Sequence, residues 1–262
     1  MKKLTAILAV LIALSMSVTA FAEMKVKSGI YYSRQWGLYI ANIVENDGKI
    51  TNVIIDRLAN GKSSKELHDN YGIKKVSTLN KEWWEQVAFY ESWVVEHGLD
   101  ALKTDEKGHA VNPDVISGAT INVEELSVAV RNAMSGKTEE EGYVIKTGTS
   151  YNKTWGLYFA NVIFKDGKVI KVLIDRISNE GEDSKEKYDN YGMKKISKLN
   201  KDWWEQVAFY EDWVLENGAD ELNNGKFNVD EVSSATETVD LVSGATIDVS
   251  DMNLAVIDAL KH

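Results

Sequence analysis

Lys81-Glu82-Trp83-Trp84-Glu85-Gln86-Val87-Ala88-Phe89-Tyr90 returns further along the chain as Lys201-Asp202-Trp203-Trp204-Glu205-Gln206-Val207-Ala208-Phe209-Tyr210, with a single exchange, Glu82 for Asp202. The match runs without gaps from Tyr71–Gly98 onto Tyr191–Gly218, where 21 of 28 positions are identical. Upstream, Trp36-Gly37-Leu38-Tyr39 recurs as Trp155-Gly156-Leu157-Tyr158, and Ile55-Asp56-Arg57 as Ile174-Asp175-Arg176. Downstream, Asp114–Thr120 recurs as Asp240–Thr246, and all eight Trp fall into matched pairs. The offset grows along the chain, so the copies differ by insertions, which loops tolerate. Two copies are too few for a solenoid, which needs about three or more, but each is long enough to bury a core of its own. The chain is therefore expected to hold two domains of one fold, residues 23–135 and 143–262, joined by a polar linker over 136–142.

Within each copy the periodicity changes along the chain. Leu38–Val44 and Ile50–Leu58 are apolar and β-branched, and Asn46-Asp47-Gly48-Lys49 between them predicts a hairpin. Lys165-Asp166-Gly167-Lys168 does the same in the second copy. Trp83, Val87, Tyr90 and Val94 share one face of a helix predicted over 81–97, with Asn80 as its N-cap and Gly98 as its stop. A last helix is predicted from Val123 to Met134, with a capping-box pattern at Asn122 and Glu125 that Asp248 and Asp251 repeat. This order predicts an α+β fold: two tandem copies of a small antiparallel sheet with packed helices.

Composition narrows the function. The chain has 262 residues, 44% of them hydrophobic and 27% charged, as in globular proteins. It has no Cys, which excludes disulfides, thiolate metal sites and a thiol nucleophile. Its four His have no matched counterparts, so neither a His-built metal centre nor a shared catalytic His is expected. A net charge of −10 carries no basic footprint for nucleic acid. Met1-Lys2-Lys3, the apolar run Leu4–Val18 and the small-residue site Ala20-Phe21-Ala22 predict a signal peptide over residues 1–22, cleaved after Ala22. The run is shorter than the ~20 residues of a membrane span. Loss of Lys2 and Lys3 takes −10 to −12, leaving an acidic, exported protein with no stable membrane span.

One motif carries chemistry. Asp114-Val115-Ile116-Ser117-Gly118-Ala119-Thr120 and Asp240-Leu241-Val242-Ser243-Gly244-Ala245-Thr246 share the pattern Asp-x-x-Ser-Gly-Ala-Thr. Its Gly lets the backbone approach a ligand closely. The helix start that follows offers free N–H groups and a partial positive charge suited to a phosphate. A near-copy, Asp230-Glu231-Val232-Ser233-Ser234-Ala235-Thr236, has Ser234 in place of the Gly, and Thr236 is read as a decoy.

The pattern resembles the attachment signature of the covalent FMN-binding domain family, found in subunits of sodium-pumping NADH:quinone reductases and in exported flavoproteins of extracellular electron transfer. In that family a flavin transferase takes FMN from FAD and joins its phosphate to the Thr of the motif. The resemblance makes Thr120 and Thr246 the attachment points of two covalent FMN. Asp114 and Asp240 open the motifs, and Ser117, Gly118, Ala119, Ser243, Gly244 and Ala245 form the backbone at the phosphate. The Glu-Thr-Pro-Gly stretch of the respiratory members is absent, so the chain is more similar to the exported branch. The implied function is an electron carrier outside the cytoplasmic membrane. It would be matured by a flavin transferase, would serve membrane or extracellular donors and acceptors, and would turn over no substrate itself.

Other residues are assigned to the fold. Trp83, Trp84 and Trp93 are expected in the core, Lys65 and Lys185 on solvated loops, and Asp56-Arg57 and Asp175-Arg176 as ion pairs at strand ends. Trp36 and Trp155 fit either core or ligand. A non-redox module that grips a sugar or cell-wall polymer through its aromatic residues is the alternative, and it leaves the duplicated motif unexplained. A self-sufficient flavin reductase would need a second nucleotide loop, and no Gly-x-Gly-x-x-Gly follows a strand.

Overall fold

The computed structural model describes residues 24–223, 245 and 247–261. The signal-peptide segment 1–22, Thr236, and the motif residues Asp240, Ser243, Gly244 and Thr246 lie outside the described residues. Each repeat builds a four-stranded antiparallel meander. The first comprises β1 (Lys25–Ser33), β2 (Gly37–Asn46), β3 (Lys49–Ala59) and β4 (Lys62–Ser63). The second comprises β5 (Glu139–Glu140), β6 (Tyr143–Asn152), β7 (Gly156–Lys165) and β8 (Lys168–Ile177). The helices are α1 (Ser64–Leu67), α2 (Trp83–His97), α3 (Pro113–Ile116), α4 (Glu124–Ser135), α5 (Trp203–Asn223) and α6 (Ser250–Lys261). The α+β class and the paired small antiparallel sheets are as the sequence predicts.

The hairpins turn where expected. Asp47 and Gly48 both take positive φ, as do Asp166 and Gly167, the backbone a tight two-residue β-turn requires. Side chains along β2 alternate between two buried faces. Tyr39, Ala41 and Ile43 pack under α2 and α4, whereas Leu38 and Ile40 meet Ile145, Ile163 and Leu173 of the other sheet. The two sheets thus lie face to face with helices outside, and each repeat has a helix–sheet core of its own plus a shared one. That double burial is why residues 38–44 are apolar on both faces apart from Asn42, which accepts from Ser28 at 2.6 Å and from Asn161 of the other sheet at 3.0 Å.

The two-residue strands β4 and β5 and the two long strands β1 and β6 were not legible from the sequence. β1 and β6 carry Gly29 and Gly148 at mid-strand, where glycine weakens the strand pattern. Both glycines are needed for packing. A Cβ at Gly29 would lie 2.0 Å from the Ala133 backbone nitrogen, and one at Gly148 would lie 2.0 Å from that of Ala259. The segment 136–142 contains β5 and is tied to both sheets: Ile30 N–H donates to the Lys137 carbonyl at 3.1 Å, and Ile145 N–H to that of Thr138 at 2.9 Å.

Helix starts differ in detail. Asn80 sits in a turn with φ 52°, and Glu82 rather than Asn80 caps α2, its N–H donating to Glu85 at 2.7 Å. Gly98 ends α2 as predicted, with φ 77°. Asn122 accepts from Glu125 N–H at 3.2 Å, but Glu125 turns away to Ser33 at 2.8 Å, so only half of the capping box forms.

The lysines expected on solvated loops are buried between the repeats. Lys65 is 2% exposed and donates to Glu91 of its own repeat at 3.3 Å and to Glu186 of the other at 2.7 Å. Lys185 pairs with Glu211 at 2.7 Å, and Lys171 crosses to Glu66 at 2.9 Å. Sequence reading missed this because a lysine gives no local sign of a distant carboxylate. Trp84 packs between the repeats too, its ring 4.8 Å from His68 and 4.4 Å from Tyr188.

Candidate functional site

Arg57 and Tyr39 face each other across β3 and β2. The side chains point under α2, so the Arg57 guanidinium reaches four aromatic rings: Trp36 at 5.6 Å, Tyr39 at 5.9 Å, Tyr71 at 5.0 Å and Trp83 at 5.8 Å. The second repeat reproduces the cage around Arg176, with Trp155, Tyr158, Tyr191 and Trp203 between 5.5 and 5.7 Å. Such cation–π contacts strengthen on desolvation. The expected Asp56–Arg57 ion pair is therefore not made by side chains. Asp56 instead accepts from Arg57 N–H at 2.6 Å and Lys65 N–H at 3.1 Å, and burial pushes its carboxyl up. Asp175 takes the same backbone bonds.

A cavity opens beside each cage. The first, about 400 Å³, is lined among others by Trp36, Arg57, Gln86, His109, Thr120 and Asn122. The second, about 270 Å³, is lined by Trp155, Arg176, Trp203, Ile247, Asp248 and Asp251 among others. Trp36 and Trp155, left open by the sequence, stand at these cavities, 43% and 54% exposed. The cages are not identical. Arg176 Nε donates to Ser184 at 2.9 Å and its terminal nitrogen to Tyr191 at 2.5 Å, whereas Arg57 Nε and Ser64 Oγ, at the matching positions, are buried without hydrogen-bond partners.

Of the first motif, Thr120 alone lines the first cavity; Asp114, Ser117, Gly118 and Ala119 do not. Asp114 lies in the short helix α3 and Ser117 caps its end, with Ser117 Oγ donating to the Asp114 carbonyl at 2.6 Å. Trp93 Nε1 donates to Asp114 at 2.6 Å, and this bond holds the Asp114 carboxyl below the usual carboxylate range. Ala119 is buried. A Cβ at Gly118 would meet the Phe89 ring at 2.2 Å, so close packing on Phe89 is what requires glycine here. Thr120 comes next, in the cavity wall, and its N–H and hydroxyl both donate to Gln86 Oε1, at 2.9 and 3.2 Å. Gln86 was not singled out from the sequence; its place in both copies of the repeat was the available signal.

Most of the helix start expected to receive a phosphate is already bonded. Val123 and Glu124 N–H groups donate to the Gly108 carbonyl at 2.9 and 3.1 Å, and that of Glu125 to Asn122. The first turn also carries two Glu, which oppose a further anion. Of the second motif, Ala245 is buried like Ala119. Among the described residues no helix is long and apolar enough to cross a membrane. No protein-family profile, curated protein or solved structure matches the chain.

Proposed function

We propose that this chain is an exported electron-transfer flavoprotein carrying one covalent FMN per repeat, on Thr120 and Thr246, and that it relays electrons outside the cytoplasmic membrane without substrate turnover. One observation carries the reading: the motif's Thr120 hydroxyl lies in the wall of a cavity built from aromatic rings around a buried arginine. A cavity of about 400 Å³ is within the ligand-pocket range. The donor set also suits a flavin, with aromatic faces to stack on a planar ring and a buried Arg57 Nε lacking a partner.

Bound FMN supplies two-electron and one-electron redox chemistry. The chain's own residues hold and tune it. Trp36, Tyr71 and Trp83 would offer it apolar walls, and the Arg57 guanidinium among them would supply a fixed positive charge that favours the reduced form. Attachment is the transferase's chemistry. The Thr120 Oγ–phosphorus bond forms, the pyrophosphate bond of FAD breaks, AMP leaves, and the hydroxyl proton passes to a base on the transferase.

The test is intact mass of the mature chain after co-expression with a flavin transferase. Two FMN adducts that survive denaturation are expected, mapping to Thr120 and Thr246 and absent from the Thr120→Ala/Thr246→Ala variant. The reduced, loaded protein should be reoxidised by ferric chelates, and NADH alone should reduce it negligibly. No adduct would sink the flavin reading and leave the aromatic binding module.

A further inference from the structure

Gln86 is completely buried, and its amide cannot turn over without loss. Nε2 donates to the Lys81 carbonyl at 3.1 Å and to Ser77 Oγ at 3.3 Å. The flipped amide would set an oxygen against that carbonyl, so Oε1 is fixed toward the motif. There it accepts from both the Thr120 N–H and the Thr120 hydroxyl. The repeat preserves the fixing contacts: Gln206 Nε2 donates to the Lys201 carbonyl at 3.2 Å and to Ser197 Oγ at 3.4 Å.

A hydroxyl that donates its proton to a fixed acceptor has its lone pairs directed elsewhere, and an alcohol attacks phosphorus through a lone pair. An amide oxygen is too weak a base to keep the proton, so Gln86 can orient the hydroxyl but cannot activate it. We infer that Gln86 is a positioning residue for modification of Thr120: it holds the hydroxyl ready for phosphoryl attack, and Gln206 stands in the same place in the second repeat. This rests on the flavin reading above. The step it serves is the balanced one already given, with FAD as phosphoryl donor, AMP as leaving group and the transferase as base.

The experiment follows attachment over time with purified flavin transferase and FAD, by intact mass and by peptide mapping at each site. Gln86→Met keeps the length and volume of the side chain but removes the acceptor. It should slow loading of Thr120 by about tenfold or more, the scale on which lost orientation acts, while Thr246 in the same molecule loads at its usual rate. The loss should appear in kcat at saturating FAD rather than in KM. Gln86→Glu keeps an acceptor toward Thr120 and, held protonated by burial, can still donate to the Lys81 carbonyl, so it should load Thr120 faster than Gln86→Met. A purely structural role would lower the melting temperature of Gln86→Met and leave no advantage to the glutamate. If Gln86→Met does not fold, Gln86→Asn draws the acceptor back by one methylene and should slow Thr120 in the same way. Loading of Thr120 at the wild-type rate in a folded Gln86→Met or Gln86→Asn overturns the inference alone. A wild-type chain that takes no flavin from FAD overturns the flavin reading as well.

Discussion

Replacing Lys65 with Met tests whether the buried charges hold the two repeats together. Met fills nearly the same volume, so the perturbation is electrostatic. In the wild type burial pulls the Lys65 ammonium down, but Glu186 and Glu91 beside it hold its pKa well above the ordinary lysine value. Burial raises Glu186, and Lys65 reverses this and keeps it lowered; Glu91 stays raised by burial and by Glu186. Without the cation, the buried Glu91 carboxyl faces the half-buried Glu186 with Asp183 nearby. Removing one partner of a buried pair costs about 3–5 kcal/mol, a large part of a stability of roughly 5–15 kcal/mol. At about 2–4 °C per kcal/mol for a chain of this size, Tm at pH 7.5 should fall by roughly 6–20 °C.

The pH dependence follows from the same groups. A lowered carboxyl such as wild-type Glu186 stabilises above its unfolded pKa, and that contribution is lost as pH falls through the folded value. A raised carboxyl such as Glu91 stabilises below its unfolded pKa and loses that contribution as pH rises. Lys65→Met converts Glu186 from the first kind to the second. Its deficit must therefore shrink as pH drops toward the ordinary carboxylate range. Melts at pH 7.5 and pH 5 read this directly, and Lys65→Met/Glu186→Gln should recover much of the loss. An unchanged Tm at pH 7.5, or an equal deficit at both pH values, would refute the electrostatic account.

Gly29→Ala and Gly148→Ala each drive a methyl into the backbone of a packed helix, and each should cost about 1–3 kcal/mol or more, measured by denaturant unfolding. If either is neutral, the close helix–sheet approach is wrong. Trp93→Phe removes the indole donor to Asp114, so the Asp114 carboxyl should titrate at higher pH, nearer an ordinary aspartate. An NMR titration that shows no upward shift would mean that this bond does not hold the motif's first residue.

The repeat, the hairpins, the α2 face and the motif were legible because each is a local pattern. Asp47-Gly48 dictates its turn whatever lies around it, and Trp83, Val87, Tyr90 and Val94 are buried as their spacing requires. The rest depends on partners far away in sequence. Nothing local says that Arg57 sits inside four rings, because Trp36, Tyr39, Tyr71 and Trp83 come from separate elements. Gln86 reads as an ordinary polar helix position until Thr120, 34 residues on, is folded against it. The glycine of the motif was read for backbone freedom, whereas Gly118 is required by the Phe89 ring, a contact no local pattern reveals.

Identity between the copies therefore reflects two separate physical demands. Trp36, Tyr39, Arg57, Tyr71 and Trp83 line the first cavity, as Trp155, Tyr158, Arg176, Tyr191 and Trp203 line the second. The Ser64-Lys65-Glu66 and Ser184-Lys185-Glu186 segments serve chiefly the contact between the copies. Lys65 pairs with Glu186 of the second repeat, and Lys171 of the second repeat pairs with Glu66 of the first. Each sheet also covers an apolar face of the other, so Ile30, Leu38, Ile40 and Leu58 would meet water in an isolated first repeat. Duplication thus supplies each domain with its own lid for a second hydrophobic face, and the crossed ion pairs fix the register of that contact. Departures from the repeat then fall where the halves can differ without breaking it. His68 stands opposite Tyr188 in the aromatic cluster between the repeats, and Asn122 is matched by Asp248 at the cavity walls. The second exchange adds a negative charge beside only one arginine cage. Two cavities built from the same residues are in this way given different electrostatic surroundings by a pair of positions that the shared fold leaves free to vary.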